Sequence, residues 1–214
     1  MLGIPKTKNK NLLLESSKCI LKTVQDSIGE TGNIFVPTYS YTLTKKYKIF
    51  NPKTTKADIG YFPNFFLKQK NILRSKDPMM SIAGIGPDAK KILNGISNSS
   101  FGKNCVLERL LNLKNLKCCN IGLGYNWIPF IHYLDWKNNV PFRFNKIFTG
   151  SIKEREKIKK VKWNYFARYM RKETTSNGYK IGKLAVKKKL YNHANVGKSL
   201  IYVTDYRKFY NFSL

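Results

Sequence analysis

Acidic residues are scarce in this sequence, and so are arginine, cysteine and histidine. Twelve Asp and Glu stand against forty Lys and Arg in 214 residues, a net charge of +28. Such a balance invites a nucleic-acid reading. Only seven of those basic residues are arginine, however. Arginine is the residue suited to bidentate contacts with phosphates and bases, so no specific nucleic-acid partner is expected. The excess of lysine, with abundant asparagine and isoleucine, matches the codon usage of an AT-biased genome. Basicity is densest from about residue 151, where 17 Lys and Arg meet 4 acids. That stretch is a plausible polyanion-facing surface. The four cysteines, Cys19, Cys105, Cys118 and Cys119, form no CxxC pair and have no histidine at zinc-ligand spacing. No metal is expected, and buried reduced thiols are. No run of 18 apolar residues exists, so no membrane span is predicted. The opening Met1–Lys6 lacks the apolar core of a signal peptide, which makes the cytoplasm the expected compartment. P-loop and GxGxxG fingerprints are missing, as are internal repeats.

The chain does have a hydrophobic content of 42% and an aromatic content of 14%, which together argue against disorder. Its length suits one domain over 1–214. Apolar spacing predicts a helix over 11–28 stopped by Gly29, and a short strand at Ile34–Val36 closed by Pro37. The polar, aromatic loop Thr38–Tyr41 follows that strand, where α/β sheets commonly build sites. Residues 50–60 read as a surface excursion, 61–70 as a short helix, and 81–86 as a strand with close backbone approach at its glycines. Helices are predicted at 87–96, Val106–Leu113 and 179–191, with a buried strand at Leu116–Leu123 and a strand at Leu200–Thr204. A turn or helix closes the chain over Asp205–Tyr210. Residues 152–170 fit strand and helix equally. Alternation of this kind points to an α/β or α+β domain.

The most informative window is Phe130-Ile131-His132-Tyr133-Leu134-Asp135, after the Gly-rich Asn120–Tyr125. His132 is one of two histidines. In a helix, His132 and Asp135 share a face, and a carboxylate can orient an imidazole for proton transfer near neutral pH. The plainer reading is a helix that buries Phe130, Ile131 and Leu134, with His132 merely hydrogen-bonded. His193, without an acidic neighbour, reads as surface.

Several segments, in order, resemble the aminoglycoside 3-N-acetyltransferase family. They are Val36-Pro37-Thr38-Tyr39-Ser40, then Phe50-Asn51-Pro52-Lys53-Thr54-Thr55 with Gly60, then Arg74-Ser75-Lys76-Asp77-Pro78 through Gly86. Phe101-Gly102 with Leu107-Glu108-Arg109-Leu110 follows, and last Gly122 through Asp135. The resemblance implies a single-domain α/β fold, a mixed sheet covered by helices, and use of acetyl-CoA to acetylate an amine on a sugar or aminoglycoside. Asp77, where resistance enzymes tend to carry histidine, fits better the relatives found with polysaccharide genes. His132 becomes the general base and Asp135 its orienting carboxylate. Arg74, Ser75 and Ser81 match the segment bordering acetyl-CoA, and Thr38 and Tyr39 the loop near the acceptor. For Ser75 and Ser81 the plainer reading is a turn held by local hydrogen bonds, and for Tyr39 an aromatic packed at the core edge.

Three departures stand out. Asp135 replaces the family's usual glutamate and is one methylene shorter. Pro129 replaces a threonine, which favours direct transfer over an acyl-hydroxyl intermediate. The family's N-terminal strand and its His-Ser segment are apparently missing. Two other readings stand beside the enzyme: a polyanion- or nucleic-acid-binding protein using the Lys-rich part, and a truncated, catalytically silent relative.

Overall fold

The computed structural model describes residues 9–128, 130–174, 178–197 and 199–214. The opening residues and Pro129, both used above, lie outside this set.

Helix α1 (Lys10–Ile28) begins where the Asn9 side chain accepts from the backbone N–H groups of Asn11 and Leu12. It buries Ser17 and Leu21. Next come β1 (Ile34–Pro37), a single helical turn at Thr42–Thr44, β2 (Ile49–Phe50), α2 (Tyr61–Phe66), β3 (Leu73–Arg74) and β4 (Ile82–Ile85). Strand β4 lies between β1 and β3, antiparallel to both. Gly84 of β4 is there for proximity: a Cβ at that position would come within 2.7 Å of the Phe35 ring. Leu21, Val36, Phe65, Phe66 and Ala83 form the small core under α1 and α2.

Beyond α3 (Ala89–Leu93) and α4 (Val106–Leu111) come β5 (Lys117–Ile121) and α5 (Ile131–Lys137). The long strands β6 (Arg143–Glu154) and β7 (Lys157–Arg168) pair along their whole length, from Arg143 opposite Arg168 to Glu154 opposite Lys157. Short β2 joins β6 in parallel. The chain ends with α6 (Tyr179–Lys187), β8 (Tyr191–Val196), β9 (Ser199–Asp205) and α7 (Tyr206–Phe212). Strand β9 sits between β5 and β8.

The architecture is thus mixed α/β, as expected, with the strands of the described residues shared among three three-stranded sheets. One larger core runs from Tyr39 and Phe50 through Phe130 and Trp163 to Phe209. It draws on most stretches from the post-β1 loop to the final helix, though not on α2 or β3.

Three local expectations are corrected and one ambiguity is resolved. Phe50, assigned to a surface excursion, is fully buried in β2. Helix α6 stops at Lys187, and Tyr191 opens a strand that had been missed. Residues 152–170 are largely hairpin. Of the four cysteines, all free, Cys19 and Cys119 are exposed. Burial pushes the Cys105 thiol up to about 11 and the Cys118 thiol up to about 12. Neither is poised as a thiolate nucleophile. No helix among the described residues is long and apolar enough to cross a membrane.

Candidate functional site

His132 lies in the first turn of α5, with its side chain 24% exposed, so solvent reaches the ring. What holds α5 is the aromatic packing around it. Phe130 packs on Tyr206 and Phe209, with ring centroids 4.1 and 5.5 Å apart, and Tyr133 lies beside Trp136 and Tyr210. The loop leading into α5 is pinned from two sides. The Asn120 amide donates to the Trp127 and Gly124 carbonyls at 2.6 and 3.2 Å. From the other side α6 presses in at Gly182, where a Cβ would stand 2.6 Å from the Tyr125 carbonyl oxygen. Any larger residue would push helix and loop apart.

Asp135 shares the face of α5 with His132, yet its Oδ2 is 3.9 Å from Nδ1, beyond hydrogen-bond range. A residue not foreseen from sequence fills that position. Arg143, the first residue of β6, brings Nη2 to within 2.8 Å of His132 Nδ1 and Nε to within 2.9 Å of Asp135 Oδ2. Its Nη1 donates to the Phe166 carbonyl at 3.1 Å. The Arg143 side chain is 2% exposed. Asp135 therefore faces the imidazole through a guanidinium rather than directly.

Two tyrosines close the inner side. Tyr165 hydrogen-bonds Arg143, and burial raises its phenol well above the usual range. Tyr41 feels the same cation while burial raises its phenol. Its backbone is left-handed, φ 42, an uncommon conformation for tyrosine that costs on the order of 1 kcal/mol and tends to cluster at functional sites. Tyr41, in the loop after β1, lies near enough to Arg143 for the cation to act on its phenol.

The other expected site residues occupy a separate, buried place. Arg74 Nε donates to Thr38 Oγ1 at 3.1 Å and Ser81 Oγ at 3.0 Å, its Nη2 donates to the Thr38 carbonyl at 2.7 Å, and its Nη1 donates to the Thr55 carbonyl. The guanidinium lies 5.0 Å from the centre of the Phe50 ring. Burial lowers it to about 10, and it stays cationic at neutral pH. Ser75 Oγ accepts from the Ile82 N–H at 3.0 Å. Thr38, Ser75 and Ser81 are fully buried, and Tyr39 nearly so, with burial raising its phenol. Thr38, Arg74 and Ser81 thus meet in one network, with Ser75 beside it. The structure brings them to each other and not to His132. Ser81 bonds Thr38 and Arg74 rather than closing a local turn, and Tyr39 packs in the larger core. His193 is exposed on β8.

Asp77 is buried under the site. Its Oδ1 accepts from the Met79 and Met80 N–H groups, both at 2.8 Å, and from the Ser100 hydroxyl at 3.0 Å, which itself accepts from Trp163. Burial outweighs these bonds and pushes the carboxyl from 3.8 up to about 6. Between those values the folded protein holds the proton better than the unfolded chain, so Asp77 withdraws stability as pH rises through the window. Asparagine keeps the acceptor without the charge. We expect Asp77→Asn to gain on the wild type by up to roughly 3 kcal/mol between about pH 4 and pH 7. Urea unfolding at several pH values measures this, and a difference independent of pH contradicts it.

Two clefts lie elsewhere. One, of about 590 Å³, is lined by Tyr47, Lys48, Ile49, Lys160 and Lys162 among others. The second, about 460 Å³, lies between the end of α1 and the β1–β4 edge. Among the described residues no cluster of three or more His, Cys, Asp or Glu could hold a metal ion.

The mixed α/β frame thus carries a partly exposed imidazole, His132, backed by a buried guanidinium and a carboxylate. The chain belongs to the aminoglycoside 3-N-acetyltransferase family, whose model matches residues 11–214. Solved structures share the fold at low identity. A sisomicin-bound AAC-VIa superposes with a TM-score of 0.79 at 16% identity, covering 93% of this chain and 83% of that one. AAC-IIIb in a binary complex with CoASH gives 0.78 at 14%, covering 92% and 81%. The YokD protein from Bacillus subtilis gives 0.75 at 17%, covering 92% and 83%. No curated protein matches the sequence.

Proposed function

We propose that this chain transfers the acetyl group of acetyl-CoA to the amine of an amino sugar, with His132 as proton acceptor. The family supports an acetyltransferase, and a related structure was solved with CoASH. The observation that carries the reading is His132 itself: open to solvent at the ring, its far nitrogen set in a buried polar trio with Asp135 and Arg143.

Acetyl-CoA supplies the acyl group as a thioester. A protonated amine has no lone pair for attack, so one proton is lost to solvent first, and a base takes a second as the N–C bond forms. His132 Nε2 takes it. The C–S bond breaks, and the proton passes from the ring to the sulfur that leaves. Asp135, acting from behind, stabilises the imidazolium formed in between. No hydroxyl intermediate is needed. Arg74, Ser75 and Ser81 support the wall behind the donor site through the buried network, and Thr38 and Tyr39 anchor the loop that carries Tyr41 towards the acceptor.

Charge bears on which amine. Aminoglycosides are polycations, and this chain has 40 basic against 12 acidic residues. The site carboxylate Asp135 already faces Arg143. An amino sugar bearing phosphate, linked to a nucleotide or lipid, is matched to such a field. With acetyl-CoA, free thiol should appear faster with a nucleotide-linked amino sugar than with a polycationic aminoglycoside, and the preference should shrink as salt rises. No thiol release above hydrolysis with either acceptor removes the proposal.

A second reading draws on the β2–β6–β7 sheet, where exposed Lys48, Lys160 and Lys162 line the larger cleft. Polyanion binding there predicts affinity for RNA or DNA that falls steeply with salt, and its survival at physiological salt would favour this reading.

A further inference from the structure

A guanidinium has only N–H groups to offer, and a neutral imidazole carries a single N–H. Arg143 Nη2 stands 2.8 Å from His132 Nδ1, so Nδ1 accepts and the ring proton sits on Nε2. A base that works at Nε2 needs the opposite tautomer, with Nδ1–H donated to a carboxylate. The carboxylate able to accept it, Asp135, is 3.9 Å away and in contact with Arg143 Nε at 2.9 Å.

We propose that Arg143 is the positioning residue of this site: wedged between Asp135 and His132, it holds the resting ring in the Nε2–H tautomer. His132 then becomes a proton acceptor at Nε2 only when the Nδ1 contact passes from the guanidinium to Asp135. The exchange moves one proton from Nε2 to Nδ1 through water, with no net gain or loss. It requires Asp135 Oδ2 and Nδ1 to close by about 1 Å, to hydrogen-bond range. The surroundings favour the resting arrangement. Arg143 is also fixed by the Phe166 carbonyl and by Tyr165, so the guanidinium cannot drift from the ring without giving up other bonds. The value of the device is that an empty site presents a donor, not a base. Its functional meaning rests on the acetyl-transfer reading; the tautomer itself does not.

The chain contains two histidines, which makes the test direct. Full-length protein labelled with 15N in its histidine rings gives two ring systems, and His193→Gln assigns them. With the ring neutral and no acetyl-CoA present, His132 should show its proton on Nε2 and a bare Nδ1. In Arg143→Met, Asp135 gains access to Nδ1 and the proton should move there. Arg143→Lys, which keeps a donor, should retain the Nε2–H form. A wild-type ring protonated on Nδ1 overturns the proposal outright, whether or not any variant folds. A folded Arg143→Met whose ring stays Nε2–H overturns it too. None of these readouts depends on turnover. Thiol release on the same wild-type sample separates failure of this inference from failure of the acetyltransferase reading.

Discussion

His132→Ala should lower kcat for acetyl transfer by about 10²–10⁴-fold while leaving the fold in place, the range expected when a positioned base is lost. The two effects separate because the ring contributes little to packing. Helix α5 is anchored by Phe130, Tyr133 and Leu134, all buried, whereas the His132 side chain is 24% exposed. Alanine removes one hydrogen bond, to Arg143, whose other contacts remain. The stability change should therefore stay within about 3 kcal/mol. Thiol release at saturating acetyl-CoA, beside urea unfolding of the same preparation, measures both. Unchanged kcat in a folded variant would end the role assigned to His132.

Arg74→Ala should do the reverse, destabilising the protein by about 3 kcal/mol or more. Four hydrogen bonds and a ring contact are lost at once. What they leave behind matters more than the bonds themselves. The half-buried Thr55 carbonyl loses its guanidinium donor, the Thr38 carbonyl keeps only the Ser81 hydroxyl at 2.8 Å, and a buried group left without a partner costs about 1–3 kcal/mol. Lysine has one compact ammonium where arginine has a planar fork, so Arg74→Lys should recover only part of the loss. The pair of variants also decides what Arg74 is for. If it touched acetyl-CoA from an open surface, alanine would raise KM and leave the urea midpoint where it was. The geometry predicts a large fall in the midpoint.

Arginine itself was the signal in the sequence that pointed furthest. In a chain where lysine is the default cation, several of the seven arginines mark a place where a fork is used. Arg74 and Arg143 are two such places, and Arg109 is a third, donating to the Lys91, Ile92, Asn94 and Gly95 carbonyls at the end of α3. Scarcity weakened the nucleic-acid reading, but it did not single out Arg143, because nothing in the order of residues says that β6 starts beside α5. Pairing at that range is a property of the fold.

The helical spacing of His132 and Asp135 was readable, and both do share a face; the 3.9 Å gap was not, since it depends on the guanidinium between them. Helices α1, α2 and α4 were legible because one face of each is apolar over several residues, and the strand around Gly84 because it is a short apolar run; the run around Cys118 reads as a buried strand, but β5 buries only Asn120. The β6–β7 hairpin was not. Near its tip both faces are exposed, Lys157 through Lys160 all meet solvent, and no two-residue alternation survives there. Strand β8 buries only Tyr191 and hides for the same reason.

The final helix adds a practical constraint. Tyr206 and Phe209 form the back wall on which Phe130 rests, and Asn138 at the far end of α5 donates to the Ser213 carbonyl at 3.3 Å. Removing the final helix would loosen the seat of the imidazole from a part of the polypeptide some seventy residues further on.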